Sequence, residues 1–441
     1  MATNPAPSMR ALPLVLVFIA ACAAPASEPL PFDGDPWPEI RQDRIHRLLP
    51  AAMDKAEVDA WLTVCRENSN DPLARHVGCE NAGGTAAFLF FRTADGVRPV
   101  AISPAGEATS LAELGTHEVI PIERGTSIWG HVVDQLELYD SEALAINSGG
   151  RAAADGLSHT QYLALSAGLG ADWMAKAESS EALVVAWLSV KTPAEVEIMR
   201  RAAALTALWE EEAYGEVIPG TSTDLDIARF LEAKMTAAQV GDGWSPAQNP
   251  AVNSGKDRGH SHPTDRVIQP GEFIQTDFGI MVHDMWVTDI QRFAYVLAPG
   301  ETEAPPEALQ KWQTAVRGSR AAFEAMRPGA SGGEVDRAQR VVLNEAGSLP
   351  VMWGTGHPVG YWAHDVGPRL GGGNLGRRLS QDPEQILEPG MTFAFDGFFS
   401  WPLSDSTTKT LSVEEMVVIT EDGAEWLTPP QEDLILIPST L

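Results

Sequence analysis

Positive charge is scarce in this sequence. Its 441 residues include 31 lysines and arginines against 60 aspartates and glutamates, which gives a formal net charge of -29 at pH 7. Binding to nucleic-acid phosphates requires clustered cations that displace counterions, and the sequence contains no basic run. We therefore expect no nucleic-acid partner. A composition that is 44% hydrophobic and 21% charged predicts a folded chain of two or three domains.

The apolar run near the N-terminus is too short to span a bilayer as a permanent helix. It covers residues 11–21 and ends in I-A-A-C at Cys22. The run is typical of an export signal, and its end resembles a bacterial lipobox, in which the cysteine is lipidated. Cleavage within residues 23–27 is the alternative. We predict a signal at residues 1–22 and a Pro-rich tether at residues 23–38. We also predict an exported protein, located in the bacterial cell envelope or periplasm, that contacts a membrane only through its lipid anchor.

Cysteine is also scarce, with three in the whole chain. If Cys22 carries a lipid, Cys65 and Cys79 remain, and an oxidising compartment permits a disulfide between them. That bond would close a loop of 15 residues (79 − 65 + 1) and stabilise the fold by roughly 3 kcal/mol. Two unpaired buried thiols are the alternative, because separation along the chain does not give the distance between the Cα atoms.

The alternation of helix-like and strand-like segments in the first half of the sequence predicts an α/β domain over residues 39–190. Apolar residues at helical spacing predict a helix over residues 39–53. The predicted strands are residues 58–64, 86–91, 100–102, 119–122 and 143–146. A boundary follows at Thr192 and Pro193, because threonine caps a helix and proline suits its first position. Residues 191–441 then form the second domain.

The second domain contains a weak internal repeat. Two Pro-Gly turns, at Pro219 and Pro328, each precede a predicted helix and lie 109 positions apart (328 − 219). Two more, at Pro270 and Pro389, each precede a predicted strand and lie 119 positions apart (389 − 270). In both strands an aspartate follows the turn glycine by six residues, and these are Asp277 and Asp396. Two facing copies would bring both aspartates into one central site.

Acidic and imidazole side chains mark the candidate site. Asp289 follows Asp277 by twelve positions, after predicted strands at residues 272–278 and 285–287, and such a pair at the ends of adjacent strands suits a hard cation. The alternative is that one aspartate caps a turn and the other faces solvent. His357 and His364 lie in the glycine-rich segment G-T-G-H-P-V-G-Y-W-A-H-D-V-G-P, where glycine permits close backbone approach.

Two further motifs need an interpretation. Glu414 and Glu415 begin an apolar strand, and adjacent strand residues face opposite ways, so we expect one glutamate in the site and the other in solvent. Ser331 lies in a G-x-S-x-G pattern, but a helix precedes it where a nucleophile elbow needs a strand. We therefore expect Ser331 to cap the helix that follows.

These motifs, in their order along the chain, resemble those of the pita-bread metallopeptidase family. The family includes aminopeptidase P, prolidase and methionine aminopeptidase, with creatinase as a metal-free relative. The resemblance implies an α+β fold, with a creatinase-like α/β N-terminal domain and a pseudo-symmetric pita-bread catalytic domain. The metal ligands that it implies are Asp277, Asp289, His357, Asp396 and Glu414. The catalytic histidines that it implies are His364 and His260, with His262 as the alternative to His260.

The resemblance also implies a cofactor and a substrate. It implies two divalent metal ions, and the oxygen-rich ligand set favours manganese over cobalt, zinc or iron. Such a pair lowers the pKa of a bound water and polarises a carbonyl group, which suits hydrolysis of short peptides at X-Pro bonds. Homodimers are common in the family, so a homodimer is a further expectation.

Three departures from the family pattern bear on activity. Asp396 stands where the family has glutamate, Ser412 stands where an arginine is common, and the aspartates are twelve positions apart instead of eleven. Because aspartate is one methylene shorter, it would hold a metal less tightly. Two alternatives to a peptidase therefore stay open: a metal-poor creatinase-like C–N hydrolase or degenerate enzyme, and a periplasmic peptide-binding module without turnover.

Overall fold

The computed structural model describes residues 34–67, 71–79, 84–259, 261–380 and 386–439. Two predicted positions, Cys22 and His260, lie outside these residues, as does the chain before residue 34. Within the described ranges, every helix is too short or too polar to cross a membrane.

A helical segment with a π-helical turn precedes the first sheet. Its parts are α1 (Trp37–Asp43), the π turn (Arg44–Leu48) and α2 (Leu49–Lys55). The next elements are β1 (Ala60–Arg66), α3 (Ala74–Val77), β2 (Thr85–Thr93), β3 (Gly96–Pro104), α4 (Ala105–Glu113), β4 (Glu118–Ile122), α5 (Trp129–Leu138), β5 (Leu144–Ile146), a 3-10 turn (Ala152–Ala154), α6 (His159–Met174), β6 (Ala177–Ser179) and α7 (Glu181–Ser189). The first strand begins two residues later than predicted, because the backbone N–H of Val58 still donates to the Met53 carbonyl at the end of α2.

These six strands form one sheet in the order β4-β3-β2-β1-β5-β6. Strand β2 runs antiparallel to β1 and β3, and the other pairings are parallel. Apolar side chains of the strands pack against α5 and α6 in one buried cluster. At the end of β1, Cys65 is joined to Cys79 by a disulfide whose Cα atoms are 6.4 Å apart.

The second half of the chain builds two further sheets. Its elements are α8 (Pro193–Gly215), α9 (Asp224–Ala238), β7 (Gly241–Asp242), β8 (Ala251–Ser254), β9 (Phe273–Phe278), β10 (Ile280–Val282), β11 (Trp286–Val287), β12 (Ile290–Val296), α10 (Pro306–Ala325), α11 (Gly332–Glu345), β13 (Gly356–Pro358), β14 (Thr392–Pro402), β15 (Thr408–Thr420), β16 (Gly423–Trp426) and β17 (Ile435–Ile437). The larger sheet has the order β13-β14-β15-β12-β9-β8, with β16 on β15 and β17 on β12. The smaller sheet is β11-β10-β7.

The helices α8, α9 and α11 begin with capping boxes. In each box the N-cap hydroxyl accepts the backbone N–H of an acidic residue three positions later, and that acidic side chain accepts the backbone N–H of the N-cap residue. The pairs are Thr192 with Glu195, Thr223 with Asp226, and Ser331 with Glu334. Ser331 therefore caps α11, as its sequence context indicates, and is not a nucleophile on a strand-to-helix elbow.

The two copies of the internal repeat make the same backbone contacts. Gly220 donates to the Ile268 carbonyl, and Gly329 donates to the equivalent Leu387 carbonyl. After the next turn, Gly271 donates to Val296, and Gly390 donates to Ile419. The repeated turns therefore hold two similar helix–strand units side by side in the larger sheet.

Helices α8 and α10 cover one face of the larger sheet, and the candidate site lies on the other. Helix α8 contacts β9 and β12, while α10 contacts β14 and β15. Gly397 permits the second approach, because a Cβ atom at this position would lie 2.3 Å from the carbonyl oxygen of Ala315 on α10. Since neighbouring strand residues alternate between faces, Asp396 points away from α10.

Candidate metal centre

Three carboxylates and one amide form a row across four adjacent strands. The register places Asp277 of β9 opposite Gln291 of β12, Gln291 opposite Glu414 of β15, and Glu414 opposite Asp396 of β14. Directly opposed residues on paired strands share a face, so these side chains lie together on the face that the helices leave uncovered. All four are at least nine-tenths buried.

Asp289 joins this row from the residue before β12. The run at residues 285–287 was expected to pair with the strand of Asp277, but as β11 it pairs with β10 in the smaller sheet. The partner of β9 is β12, in which Ile290 lies opposite Phe278. The chain between the two aspartates therefore leaves the larger sheet as a hairpin and returns to it at Asp289, two residues before Gln291.

His357 of β13 completes a group of three possible ligands. Its Nε2 atom lies 3.7 Å from Oδ2 of Asp289 and 3.6 Å from Oε1 of Glu414. Ligand atoms of the three residues all lie within 4.8 Å of one another. Asp277 and Asp396 lie in the same row but outside this group of three.

The imidazole of His357 is suited to binding a metal. Its Nδ1 atom lies 3.2 Å from the Pro358 carbonyl, which orients that atom as the donor and leaves the Nε2 lone pair facing the carboxylates. Burial lowers the pKa of His357 to about 4, and the neighbouring His364 contributes in the same direction. At neutral pH the ring is therefore uncharged, and the short distances to Asp289 and Glu414 are not a salt bridge.

The carboxylates destabilise one another in the absence of a cation. Burial raises the pKa of Asp289 well above its usual range, and the charges of Glu414 and Asp277 raise it further. The pKa of Asp396 is raised by burial first and then by the same two neighbours. A divalent cation among these oxygens would remove the repulsion, and carboxylates with one neutral imidazole suit manganese, zinc, cobalt or iron. The residues present therefore fit a divalent metal.

His364 lies next to His357, as the glycine-rich segment indicates. The two ring centroids are 4.3 Å apart, and the rings are nearly perpendicular. His262, the alternative to His260, is exposed in the described structure.

One expectation for the paired glutamates was wrong. Glu414 faces the site, but Glu415 is not in solvent, because it is 1% exposed on the helix-covered face. Its Oε2 atom lies 3.0 Å from Nη1 of Arg292, and its Oε1 atom accepts the backbone N–H of Gln431. Burial raises the pKa of Glu415, and Arg292 and the Gln431 N–H offset part of that effect. This arginine could not be recognised as the partner without the strand register.

Sequence reasoning missed an amide network beside Glu414. Gln291 Nε2 donates to Oε2 of Glu414 at 2.6 Å. The amide oxygen of Gln291 accepts from Gln275 at 2.6 Å and from the Ser412 hydroxyl at 2.8 Å. The available signal was the alternation of strand residues, which places Gln291 on the same face as Asp289.

A second missed residue is Asp365, which follows His364. Its carboxylate accepts the backbone N–H of Tyr361 at 2.9 Å and of Val366 at 2.7 Å. Its own N–H donates to the Pro358 carbonyl at 3.0 Å, beside His357. Lys191 balances its buried charge at 3.1 Å. Asp365 thus closes the segment that carries His364 and joins it to β13.

Comparison with known proteins supports the same fold and identifies a family. The model of metallopeptidase family M24 matches residues 197–421. A probable dipeptidase PepE of Mycobacterium bovis is 29% identical over 252 residues, which cover 56% of this chain and 61% of that protein. The chain therefore matches about three fifths of the length of this relative.

Solved structures share the fold over nearly the whole chain. Dipeptidase PepE from Mycobacterium ulcerans has a TM-score of 0.67 at 22% identity, and the match covers 92% of this chain and 100% of that one. An Xaa-Pro dipeptidase from Bacillus anthracis has a TM-score of 0.65 at 20% identity, with 91% and 100% covered.

The fold and the centre define a pita-bread protein with a buried carboxylate–imidazole group that could hold a metal. The chain belongs to metallopeptidase family M24, whose model matches more than half of its residues. The expected family and the expected α+β pita-bread fold are confirmed.

Proposed function

We propose that this protein hydrolyses peptide bonds in short peptides with the help of two divalent metal ions, manganese first among them. The observation that carries the proposal is the group of Asp289, neutral His357 and Glu414, whose ligand atoms lie within 4.8 Å of one another. The names of the relatives, dipeptidase and Xaa-Pro dipeptidase, support a short substrate and, more specifically, an X-Pro bond.

The ligands of the ions are assigned from the carboxylate row and its imidazole. They are Asp277, Asp289, His357, Asp396 and Glu414. When bound, the metal pair supplies an activated water and polarises the scissile carbonyl.

The remaining residues orient this centre and handle protons. Gln291 holds one oxygen of Glu414, so the other oxygen is directed towards His357. His364, whose ring lies 4.3 Å from that of His357, is placed to hydrogen-bond the substrate and to give a proton to the leaving amine. His260 is proposed as a second substrate-binding histidine on the strength of its G-H-S-H-P motif.

The test is hydrolysis of X-Pro dipeptides, X-Pro tripeptides and matched X-Ala peptides after incubation with manganese. We expect turnover that Asp289→Ala abolishes and that Asp95→Ala, an exposed aspartate in the β2–β3 turn, leaves unchanged. Preference for X-Pro over X-Ala supports the narrower specificity. No turnover with manganese, cobalt, zinc or iron on any of these peptides would reject the proposal.

Asp396 favours a second candidate, a metal-poor relative without peptidase activity. The shorter side chain lies opposite Glu414, in a row where the family resemblance implies glutamate. Elemental analysis separates the two candidates: a content near two ions per chain under manganese excess supports the peptidase, and less than about one supports the metal-poor hydrolase or a peptide-binding module.

We also propose that the protein is exported and anchored by a lipid on Cys22. The motif I-A-A-C carries this proposal, and the Cys65–Cys79 disulfide agrees with an oxidising compartment. Fractionation of cells that produce the full chain tests it: the protein should be found with membranes, and Cys22→Ala should release it. Release of neither or both forms would contradict the anchor. A homodimer stays a prediction, for which sedimentation is the measurement.

A further inference from the structure

A cleft of about 490 Å³ opens at the carboxyl-terminal ends of β1 and β3 in the six-stranded sheet. Its floor includes Arg66 at the end of β1, Thr85 at the start of β2 and Pro104 at the end of β3. Its walls are the turn before α5 and the first turns of α5 and α6. None of its lining residues belongs to the proposed metal centre.

The cleft lies where α/β sheets commonly bind ligands, outside the carboxyl ends of parallel strands at a switch in strand order. From β3 the chain passes through α4 to β4 at the outer edge of the sheet. From β4 it crosses through α5 to β5, on the far side of β1. The turn that begins this crossing, residues 123–128, forms one wall of the cleft.

The chemistry of the lining favours an anion. Arg66 and Arg124 contribute guanidinium groups, and none of the described residues that line the cleft is acidic. The acidic neighbours of these arginines in sequence, Glu67 and Glu123, are exposed and do not line it. The hydroxyl groups that line it belong to Thr85, Thr126, Ser127 and Thr160. A lining of this kind is unexpected in a protein with a net charge of -29.

One buried donor in the lining, the Gln161 amide, lacks an acceptor in the part of the chain that the structure describes. Gln161 is 8% exposed, and its amide oxygen accepts the Ser158 N–H at 3.1 Å as part of the capping box of α6. Its Nε2 group has no hydrogen-bond partner among the described residues, and leaving a buried donor unpaired is costly. A bound oxyanion would accept from it.

The helix ends add further donors. Helix α5, of ten residues, begins at Trp129, whose N–H donates to the Ser127 hydroxyl at 3.4 Å, while the N-cap residue Ile128 supplies no side-chain hydrogen bond. The first N–H groups of a helix have no partner within the helix and carry partial positive charge, so they favour an anion. Trp129 also lines the cleft and offers an apolar surface beside these donors.

We propose that this cleft binds a small organic anion whose phosphate or carboxylate oxygens contact Arg124 and Gln161. The site is independent of the proposed peptidase activity, because it shares no residue with the metal centre. The volume suits a metabolite-sized ligand.

Calorimetry on the full chain tests the proposal with two probes, inorganic phosphate and acetate, in chloride buffer of constant ionic strength. We expect saturable one-site binding of at least one probe, with a dissociation constant below about 10 mM. Binding of phosphate alone identifies a phosphate-type ligand, and binding of acetate alone identifies a carboxylate. Arg124→Gln should weaken binding about ten-fold, the loss expected for one charge-assisted hydrogen bond.

Two further variants make the test specific. Gln161→Glu keeps the acceptor of the capping box but replaces the unpaired donor with an anion, so it should weaken binding at least as much as Arg124→Gln. Arg98→Gln is the control, because it removes the same charge from β3 outside the cleft. Arg98 lies six residues before Pro104, which places it roughly 20 Å from the cleft end of β3 at about 3.3 Å per residue. This variant should change binding less than two-fold. Absence of saturation for both probes, or equal effects of Arg124→Gln and Arg98→Gln, would overturn the proposal.

Discussion

At the scale of single residues, the uncharged hydrogen-bond network on one side of Glu414 sets this centre apart from the family pattern. Where the resemblance implies an arginine, Ser412 joins Gln275 and Gln291 in an uncharged network. Gln291 alone of the three contacts the carboxylate of Glu414. A hydrogen bond from an uncharged donor orients the carboxylate without neutralising it.

Gln291→Met should weaken manganese binding roughly ten-fold, because partners that orient a metal ligand typically contribute that much to affinity. Methionine preserves the length of the side chain and removes its donor. Calorimetric titration of the metal-stripped protein measures the effect. Gln275→Met is the matched control, since Gln275 contacts Gln291 and not Glu414, and its effect should be smaller. Unchanged affinity in Gln291→Met would show that Glu414 needs no such orientation.

A histidine in the first domain should limit stability in acid. Burial lowers the pKa of His117 from 6.5 to about 3, and both ring nitrogens lack hydrogen-bond partners within the described ranges of the chain. Between these pH values the unfolded chain binds a proton that the folded protein does not, so stability is lost as the pH falls below about 6.5.

His117→Phe should therefore flatten the decline of Tm between pH 7 and pH 4. Phenylalanine suits the site, because the His117 ring lies edge-on to Phe88 and Phe90. Thermal unfolding across this pH range is the measurement, and His159→Gln, at an exposed position, should retain the wild-type slope. Identical slopes for His117→Phe and wild type would contradict the assignment.

At the scale of elements, the segment from Pro358 to Val366 is held as a unit by Asp365 and Lys191. Asp365→Asn should lower kcat about ten-fold or more, because His364 loses its fixed position, while KM changes less. Manganese affinity should stay near the wild-type value, since His357 is held separately by the pairing of β13 with β14.

A double variant tests whether the pair acts through charge. Asp365→Asn leaves the Lys191 ammonium buried without its counter-ion. Lys191→Met likewise leaves the Asp365 carboxylate buried without its counter-ion. The double variant should consequently be more stable than the sum of the two single losses predicts. Additive losses in urea unfolding would show that the two charges do not interact.

The elements show what the sequence could and could not reveal. Local rules predicted the helix starts at Thr192 and Ser331, and repetition predicted the turns that hold the two similar units. The pairing of Asp277 with Asp396 followed from motifs with matching spacing, and the place of Glu414 beside them followed from the family resemblance. The pairing of β9 with β12 was missed, because residues 285–287 have the composition of a strand and composition does not name the partner. Gln291 was missed for a similar reason, since amides are common on strands without a role.

At the scale of the whole molecule, the disulfide loop of the first half supports the metal centre of the second. Helix α3 lies within that loop, and its Arg75 donates to the backbone carbonyls of Asp284 at 2.6 Å and His283 at 3.1 Å. These carbonyls belong to the hairpin that joins Asp277 to Asp289. Loosening α3 should therefore disturb the spacing of the two aspartates.

Replacing both Cys65 and Cys79 by alanine should lower the free energy of unfolding by roughly 3 kcal/mol, as expected for a loop of this length. Manganese affinity should fall as well, because the hairpin loses a firm support. Urea unfolding and calorimetry measure the two effects, and wild-type protein treated with a reductant is the control that should show the same changes. Full stability in the variant would contradict a structural role of the bond.

The buried pair of Arg44 and Glu195 has a consequence for dissecting this protein. The Arg44 Nη1 atom lies 2.7 Å from Oε2 of Glu195, and both side chains are fully buried. Glu195 also accepts the hydroxyl of Tyr361, close to the segment of His364. A fragment that begins at residue 191 would contain every residue that the family model matches, yet its buried Glu195 carboxylate would lack the Arg44 cation. We therefore expect this fragment not to fold on its own, and the proposed activity should return only by complementation, when residues 34–190 are supplied as a separate chain.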